Sequence, residues 1–140
     1  MSCILRAGGK NFDVDACLGQ ISMVPDSFWR RGEKRFPMST TNERINEHSG
    51  VRFLASGAEF SEFLKQIEDV TAFLRKNESD IKILMAFPGM EGAVLDFGAE
   101  LHPPGWASFT FPPEVARLAG SLGVALCISV YPVEEEAEDA

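Results

Sequence analysis

The sequence predicts a single α+β domain, and three observations support this prediction. The 140 residues are enough for one domain with one hydrophobic core. Residues 60–74 carry apolar side chains at three- and four-residue steps, which is the period of an amphipathic helix. Residues 93–101 alternate between two sets of side chains, as a half-buried strand does. Shorter helix-like and strand-like segments flank both stretches, so we expect helices packed against one sheet.

The chain begins with a predicted strand and a short helix. Residues 2–7 form an apolar run, which the sequence Gly8-Gly9-Lys10 is expected to end. Asp13 or Asn11 is placed to cap the helix that follows. The predicted buried side of this helix consists of Val14, Cys17, Leu18 and Ile21.

Two further strands are predicted before the central helix. Residues 26–33 are interpreted as a strand that closes at Gly32, and residues 51–55 as another. The segment 36–50 between them is polar and is predicted to be a long loop.

The central helix is the clearest element of the sequence. Its predicted apolar face comprises Phe60, Phe63, Leu64, Ile67, Val70, Thr71 and Leu74. Ser61 or Ser56 is expected to cap its start, and Arg75 and Lys76 suit the negative end of the helix dipole.

Residues 79–87 are compatible with two structures. Ile81, Leu84 and Met85 fit a short helix capped by Ser79, whereas the odd-numbered apolar residues also alternate like a strand. We favour the helix, because Pro88-Gly89 then provides a turn into the strand at residues 93–101.

The chain closes with a helix and a strand. Pro112 and Pro113 open the helix and Gly123 ends it. Residues 124–131 form the last strand, which is apolar or small on both faces and is therefore predicted to be central or covered on both sides.

This order of elements predicts a ferredoxin-like split β-α-β arrangement with an appended helix and strand. We expect a mixed or mostly antiparallel sheet with helices on one face. Residues 1–133 form the predicted domain, and residues 134–140 a disordered acidic tail.

Charge and cysteine usage narrow the range of partners. The net charge is -8, and this acidic balance argues against nucleic acid as a partner. Cys3, Cys17 and Cys127 match no zinc or disulfide pattern and are expected to be reduced, buried thiols of a cytoplasmic protein. We expect no signal peptide, because residues 1–20 lack a basic segment followed by an apolar run, and no membrane span, because no apolar run is long enough.

Three segments of the chain resemble a known family. Residues 15–35 combine a short helix with Pro25-Asp26, Trp29 and Arg31-Gly32-Glu33, and the blocks 66–74 and 92–98 continue the pattern. Together they are similar to the bacterial domain-of-unknown-function family 4279. The resemblance implies a small cytosolic α+β protein without an established activity or assigned catalytic residues. It leaves room for binding another protein, as immunity proteins do.

Known catalytic and metal-binding motifs do not account for this sequence. Asp96-Phe97-Gly98 matches the kinase magnesium triplet without the rest of the kinase signature. Gly8-Gly9-Lys10 lacks the upstream glycine and the following Ser or Thr of a phosphate-binding loop. His48 and His102 do not have metal-ligand spacing. We therefore predict no catalytic residues, no metal and no cofactor.

The most unusual surface feature is the segment at residues 28–35, where two aromatic residues adjoin four basic ones. Trp29, Arg30 and Arg31, with Trp106 from a later loop, are the predicted partner-binding residues, because Trp and Arg dominate interface hot spots. The alternative is that the aromatic rings pack in the core and the arginines pair with local carboxylates. The sequence does not decide whether Trp29 and Trp106 are exposed.

Two functions follow from these observations. The first is a non-catalytic protein-interaction module, whose protein partner the sequence does not identify. The second is a small-molecule-binding domain or a small enzyme, in which the loop at residues 36–50 frames a cleft. Edge strands would also permit a homodimer.

Overall fold

The protein is described by a computed structural model that covers residues 2–35 and 44–134. Its fold class is α+β, as predicted. The elements in chain order are β1 (Cys3–Gly9), α1 (Val14–Leu18), β2 (Ser27–Trp29), β3 (Ser49–Ser56), α2 (Phe63–Lys76), α3 (Glu78–Ala86), β4 (Gly92–Leu101), α4 (Pro113–Ser121) and β5 (Ala125–Pro132).

The five strands form one open, mixed sheet in the order β2-β3-β1-β4-β5. β1 is antiparallel to both β3 and β4, and β2 is antiparallel to β3. β5 is parallel to β4. The sheet is therefore mostly antiparallel, as expected. The finer assignment of a ferredoxin-like order stays a prediction, since α1 has five residues and β2 has three.

One face of the sheet carries the hydrophobic core. Leu5 of β1 lies directly between Phe53 of β3 and Leu95 of β4, and all three side chains are buried. Each of the four helices adds buried side chains to the same core. These include Val14, Cys17, Ile67, Val70, Leu74, Ile81, Leu84, Val115 and Ala119. Burial of this apolar surface is the main stabilising contribution to such a fold.

The central helix, α2, is confirmed, with three corrections. Phe60 was predicted on its apolar face, but it precedes the first helical residue, Phe63, and lies outside the helix. Leu64 is 73% exposed, because the buried stripe of Ile67, Val70 and Leu74 is narrower than the predicted apolar face. The predicted caps are also wrong, because α2 begins after Glu62 without a side-chain cap. The Ser56 hydroxyl is used elsewhere: it donates to Asp69 at 2.8 Å and accepts from the backbone N–H of Ala58.

The helical interpretation of residues 79–87 is confirmed by α3, which buries Ile81 and Leu84 against the core. The predicted cap at Ser79 is wrong, since Asn77 occupies the N-cap position and Ser79 lies inside the helix. Gly123 follows α4 with a φ of +77°, a conformation that suits glycine at a helix end.

Three predictions about the strands need correction. β1 continues through Gly8 and Gly9, which pair with Gly50 and Ser49. β2 is shorter than the predicted strand at residues 26–33. β5 is an outer strand rather than a central one, because β4 is its one partner in the described sheet. Its second apolar side, which includes Cys127, lies on the face opposite the core. Cys127 is accordingly only partly buried, whereas Cys3 and Cys17 are buried as expected.

Two predicted segments, the loop at residues 36–50 and the tail at residues 134–140, lie partly outside the residues that the structure describes. Residues 36–43 of the expected loop and residues 135–140 of the expected tail lie outside the described residues. Residues 44–48 are described, and Ile45 forms an antiparallel bridge with Lys34. No helix within residues 2–35 and 44–134 has the length and apolar character needed to cross a bilayer.

Candidate functional site on the open face of the sheet

The face of the sheet opposite the core, which we call the open face, carries the strongest candidate site. Strand geometry places alternate residues on opposite faces, so the neighbours of the core residues point to this side. Arg6 follows Leu5 on β1, Arg52 precedes Phe53 on β3, and Asp96 follows Leu95 on β4. Each of these three strands therefore places a charged side chain on the open face.

Arg6 and Arg52 lie directly opposite each other on neighbouring strands. Like charges in this position repel and destabilise the strand pair. Arg6 is compensated by Asp96, whose Oδ2 lies 3.2 Å from Arg6 Nη2. Asp96 Oδ1 also accepts a hydrogen bond of 2.6 Å from the Ser129 hydroxyl on β5. The three residues form a polar network that crosses from β1 to β5.

Arg52 differs from Arg6 in its partners. The Arg52 side chain is partly buried, and its Nε has no hydrogen-bond acceptor among the described residues. A buried donor without an acceptor is uncommon in folded proteins and costs stability. Arg52 thus contributes a positive charge and an unused donor at the centre of the open face.

Three cavities lie along this face; Arg6 lines all three of them, and Arg52 lines two. The largest, which we call the basic groove, has a volume of about 1110 Å³ and runs along the β2 edge of the open face. Its described lining contains four arginines and one glutamate: Arg6, Arg35, Arg44, Arg52 and Glu47. Arginines therefore outnumber carboxylates among the described lining residues, whereas the whole chain has a net charge of -8.

The smallest cavity, about 220 Å³, lies on the other side of the two arginines and is closed by aromatic rings. Phe60 and Tyr131 stack with ring centroids 5.0 Å apart and planes within 10° of parallel. Gly98 makes room for this wall, since a Cβ there would lie 2.2 Å from the Phe60 ring. We call this space the aromatic-walled cavity.

The third cavity, about 490 Å³, lies at the end of the open face near Trp29, His48 and Glu91. The Trp29 ring lies across Gly50, where a Cβ would come within 2.3 Å of the ring. Gly50 therefore allows Trp29 to lie flat against the sheet. Trp29 lines both this cavity and the basic groove.

The four predicted site residues are not brought together. Trp29 belongs to the open face, whereas Arg30 and Arg31 line none of the three cavities. Trp106 is 87% exposed and follows β4, which runs antiparallel to β1. It therefore follows the end of β4 that lies at the opposite end of the sheet from Trp29.

Arg30 is engaged in local contacts, as the alternative interpretation of this segment expected. Its Nε and Nη2 donate to the two oxygens of Asp15 at 2.7 and 2.8 Å, and Nη1 lies 3.5 Å from Glu33. The hydrogen bond from Arg30 lowers the pKa of Asp15 below its usual value. Arg30 also lies over the Phe28 ring. Arg31 contacts Ser49 through its backbone N–H and Asn11 through its side chain.

Sequence reasoning missed Arg6, Arg52, Ser129, Phe60 and Tyr131 as members of one site. One signal was present: Arg6 is the sole charged residue in β1, and Arg52 the sole charged residue in β3. A lone arginine in an otherwise apolar strand indicates the face of that strand that the core does not cover. Their adjacency depends on strand register, which the local pattern does not specify.

Comparison with protein-family models, curated proteins and solved structures finds no match for this chain. The resemblance to family 4279 therefore stays a prediction.

Proposed function

We propose that the protein is a non-catalytic interaction module that binds an acidic segment of a partner protein on the open face of its sheet. The observation that carries this proposal is the pair Arg6 and Arg52, side by side at the centre of that face. Only one of the two has a carboxylate partner among the described residues. An acidic segment supplies the missing negative charge.

The shape and composition of the basic groove support this choice of partner. At about 1110 Å³ it exceeds the space needed for a single side chain, and its described charged lining is mostly arginine. Complementary charge steers association and selects partners. Trp29 adds a large apolar surface beside the arginines, and Trp and Arg are the residue types that most often dominate binding energy.

The described groups whose pKa is shifted lie away from the three cavities. Catalytic groups commonly have shifted pKa values and lie in a cleft. The described groups with a shifted pKa are Cys3, Asp15, Cys17, Arg30 and Asp69. None of these five lines any of the three cavities.

The proposal includes a cytosolic setting and a place in the bacterial family 4279. Support for the setting comes from the cysteines, which are all free thiols, two of them buried. Support for the family comes from the sequence likeness alone.

The test is capture of a partner by the tagged protein, with Arg52→Glu and Arg117→Glu as matched variants. Arg117 is exposed on α4, away from the open face, so both variants change the charge equally. We expect one stoichiometric protein that Arg117→Glu retains and Arg52→Glu loses. A photoreactive group at position 54, which is exposed on the open face, should crosslink to an acidic stretch of that protein. Equal capture by both folded variants would contradict the proposal.

A small-molecule ligand is the second candidate, because the cavity of about 490 Å³ beside Trp29 and His48 falls within the usual size range of ligand pockets. Thermal-shift screening of anionic metabolites distinguishes the two functions. A compound that raises the melting temperature of the wild type but not of Trp29→Ala would favour this second function.

A further inference from the structure

The two edges of the sheet differ in how they are protected from pairing with another chain. Natural edges are usually protected by a short strand, by charged side chains or by proline. At one edge, β2 has three residues and is followed directly by Arg30 and Arg31. At the other edge, β5 has eight residues, none of them charged, and its one proline, Pro132, is its last residue. β5 therefore lacks the protection that β2 has.

The outer side of β5 has no strand partner in the described structure. β4 pairs with β5 in parallel, without a break in register from Ala125 to Pro132. No other described strand reaches β5, so no strand bonds the backbone N–H and C=O groups that point away from β4. A strand of this length and regularity is a template for adding one more strand.

The side chains of β5 have the pattern of a strand with neighbours on both sides. On the core face, Ile128 and Val130 lie beside Phe97 and Ala99 of β4, which are completely buried. Ile128 is nevertheless only partly buried, and Val130 is 45% exposed. The apolar core therefore reaches the outer strand without being closed there. One further strand beside β5 would cover these side chains, as in the interior of a sheet.

β5 is complementary to itself when two copies pair antiparallel about a two-fold axis at Ile128. In this register Leu126 lies opposite Val130, and Ile128 lies opposite its own counterpart. Residues directly opposite each other share a face, so the apolar rows of the two copies become continuous. Pro132, which has no N–H to donate, lies outside the paired residues.

The charges beyond β5 select this antiparallel arrangement. Residues 134–139 contain five carboxylates and begin two residues after the strand. A parallel pair would bring two such runs side by side, whereas an antiparallel pair separates them to opposite ends of the interface. Each chain has a net charge of -8, and the uncharged β5 adds no like-charge repulsion when two copies meet along it.

We infer that β5 pairs with β5 of a second copy of this chain, in a symmetric dimer whose two five-stranded sheets are continuous. Each copy has one edge of this kind, so the association closes at two. The inference is independent of the proposed function, because the basic groove runs along the opposite, β2 edge.

The first test is the mass of the purified full chain by sedimentation equilibrium, from micromolar to near-millimolar concentration. We expect a monomer–dimer equilibrium. Val130→Lys should raise the dissociation constant by about tenfold or more, because it places an unpaired charge in the interface. Leu54→Lys adds the same charge at a side chain that is 46% exposed on an inner strand, and should leave the dissociation constant nearly unchanged. A monomeric wild type, or a dimer that the two variants affect equally, would overturn the inference.

Cys127 provides a second measurement that needs no change to the apolar rows. In the proposed register the two copies of Cys127 are diagonal neighbours, with Cα atoms about 7–8 Å apart. A short bifunctional thiol reagent should therefore join them, whereas Cys3 and Cys17 are buried. We expect a covalent dimer from the wild type and none from Cys127→Ser. A dimer in sedimentation that gives no Cys127 crosslink would place the interface elsewhere and overturn the inference.

Discussion

The two faces of this sheet are built from the same strands and have opposite chemistry. On the core face, Leu5, Phe53 and Leu95 lie side by side and are completely covered by helices. On the open face, Arg6 of β1 lies opposite Arg52 of β3. Asp96, which follows Leu95 on β4, points to the same face. The core face has apolar partners for all three of its side chains. The open face leaves one arginine donor without a partner among the described residues.

One face of the sheet therefore stabilises the fold, whereas the other face is the proposed binding surface. Apolar burial is non-directional and tolerates any well-packed neighbour, so the core face is satisfied by the chain's own helices. A charged, partly buried donor needs an acceptor at a defined place. The open face therefore carries an unfavourable feature that the described part of the fold does not compensate.

The largest expected effect tests the core face. Phe97→Ala should lower the free energy of unfolding by about 3–5 kcal/mol, because it opens a cavity where Phe97 packs on Phe63 and Phe111. Leu54→Ala is the matched control on the open face, where Leu54 is 46% exposed, and should cost about 0.5 kcal/mol or less. Urea unfolding measures both. Similar losses for the two variants would show that the open face is covered.

A smaller effect of opposite sign tests the open face. Arg52→Met should raise the free energy of unfolding by about 1 kcal/mol, because it removes a buried unsatisfied donor and the repulsion with Arg6. Arg6→Met should instead lower stability, since it leaves the partly buried Asp96 without its cation. Calorimetric melting of both variants provides the measurement. A destabilised Arg52→Met would mean that Arg52 already has a stabilising partner.

The smallest effect contrasts Arg30 with Arg52. Arg30 lowers the pKa of Asp15, so the folded state binds that proton less readily than the unfolded state. The pair therefore stabilises the fold above the unfolded pKa of Asp15, and this contribution is lost as the pH falls through the folded pKa. Arg30→Leu should raise the pKa of Asp15 in an NMR titration, whereas Arg52→Leu should leave it unchanged. A shift of the Asp15 pKa in the Arg52 variant would link the two sites.

Much of the fold was predictable because its elements have strong local periods. The stripe of Ile67, Val70 and Leu74 identified α2, and the turn at Pro88-Gly89 favoured a helix for α3. The prediction for β5 was wrong for a physical reason. An apolar pattern on both faces of a strand is compatible with a central position and equally with an edge position beside an aromatic wall. Tyr131 has the second role, stacked on Phe60.

The candidate site was much less predictable, and Trp29 is the one predicted site residue that lines its cavities. Arg30 and Arg31 drew attention because they are consecutive with Trp29, yet Arg30 is neutralised by Asp15 and Glu33. Arg6 and Arg52 are 46 positions apart in sequence and become neighbours through the pairing of β1 with β3.

The sequence by itself determined the α+β class, the helices with clear periods and the alternation that gives each strand two chemically different faces. These properties depend on neighbours within a few residues, which the chain order supplies directly. Only the tertiary structure decided that Arg6 faces Arg52, that Asp96 reaches Arg6, and that Phe60 stacks on Tyr131. The reason is that strand order and register are fixed by packing between distant segments, so the local pattern of any one segment does not contain them.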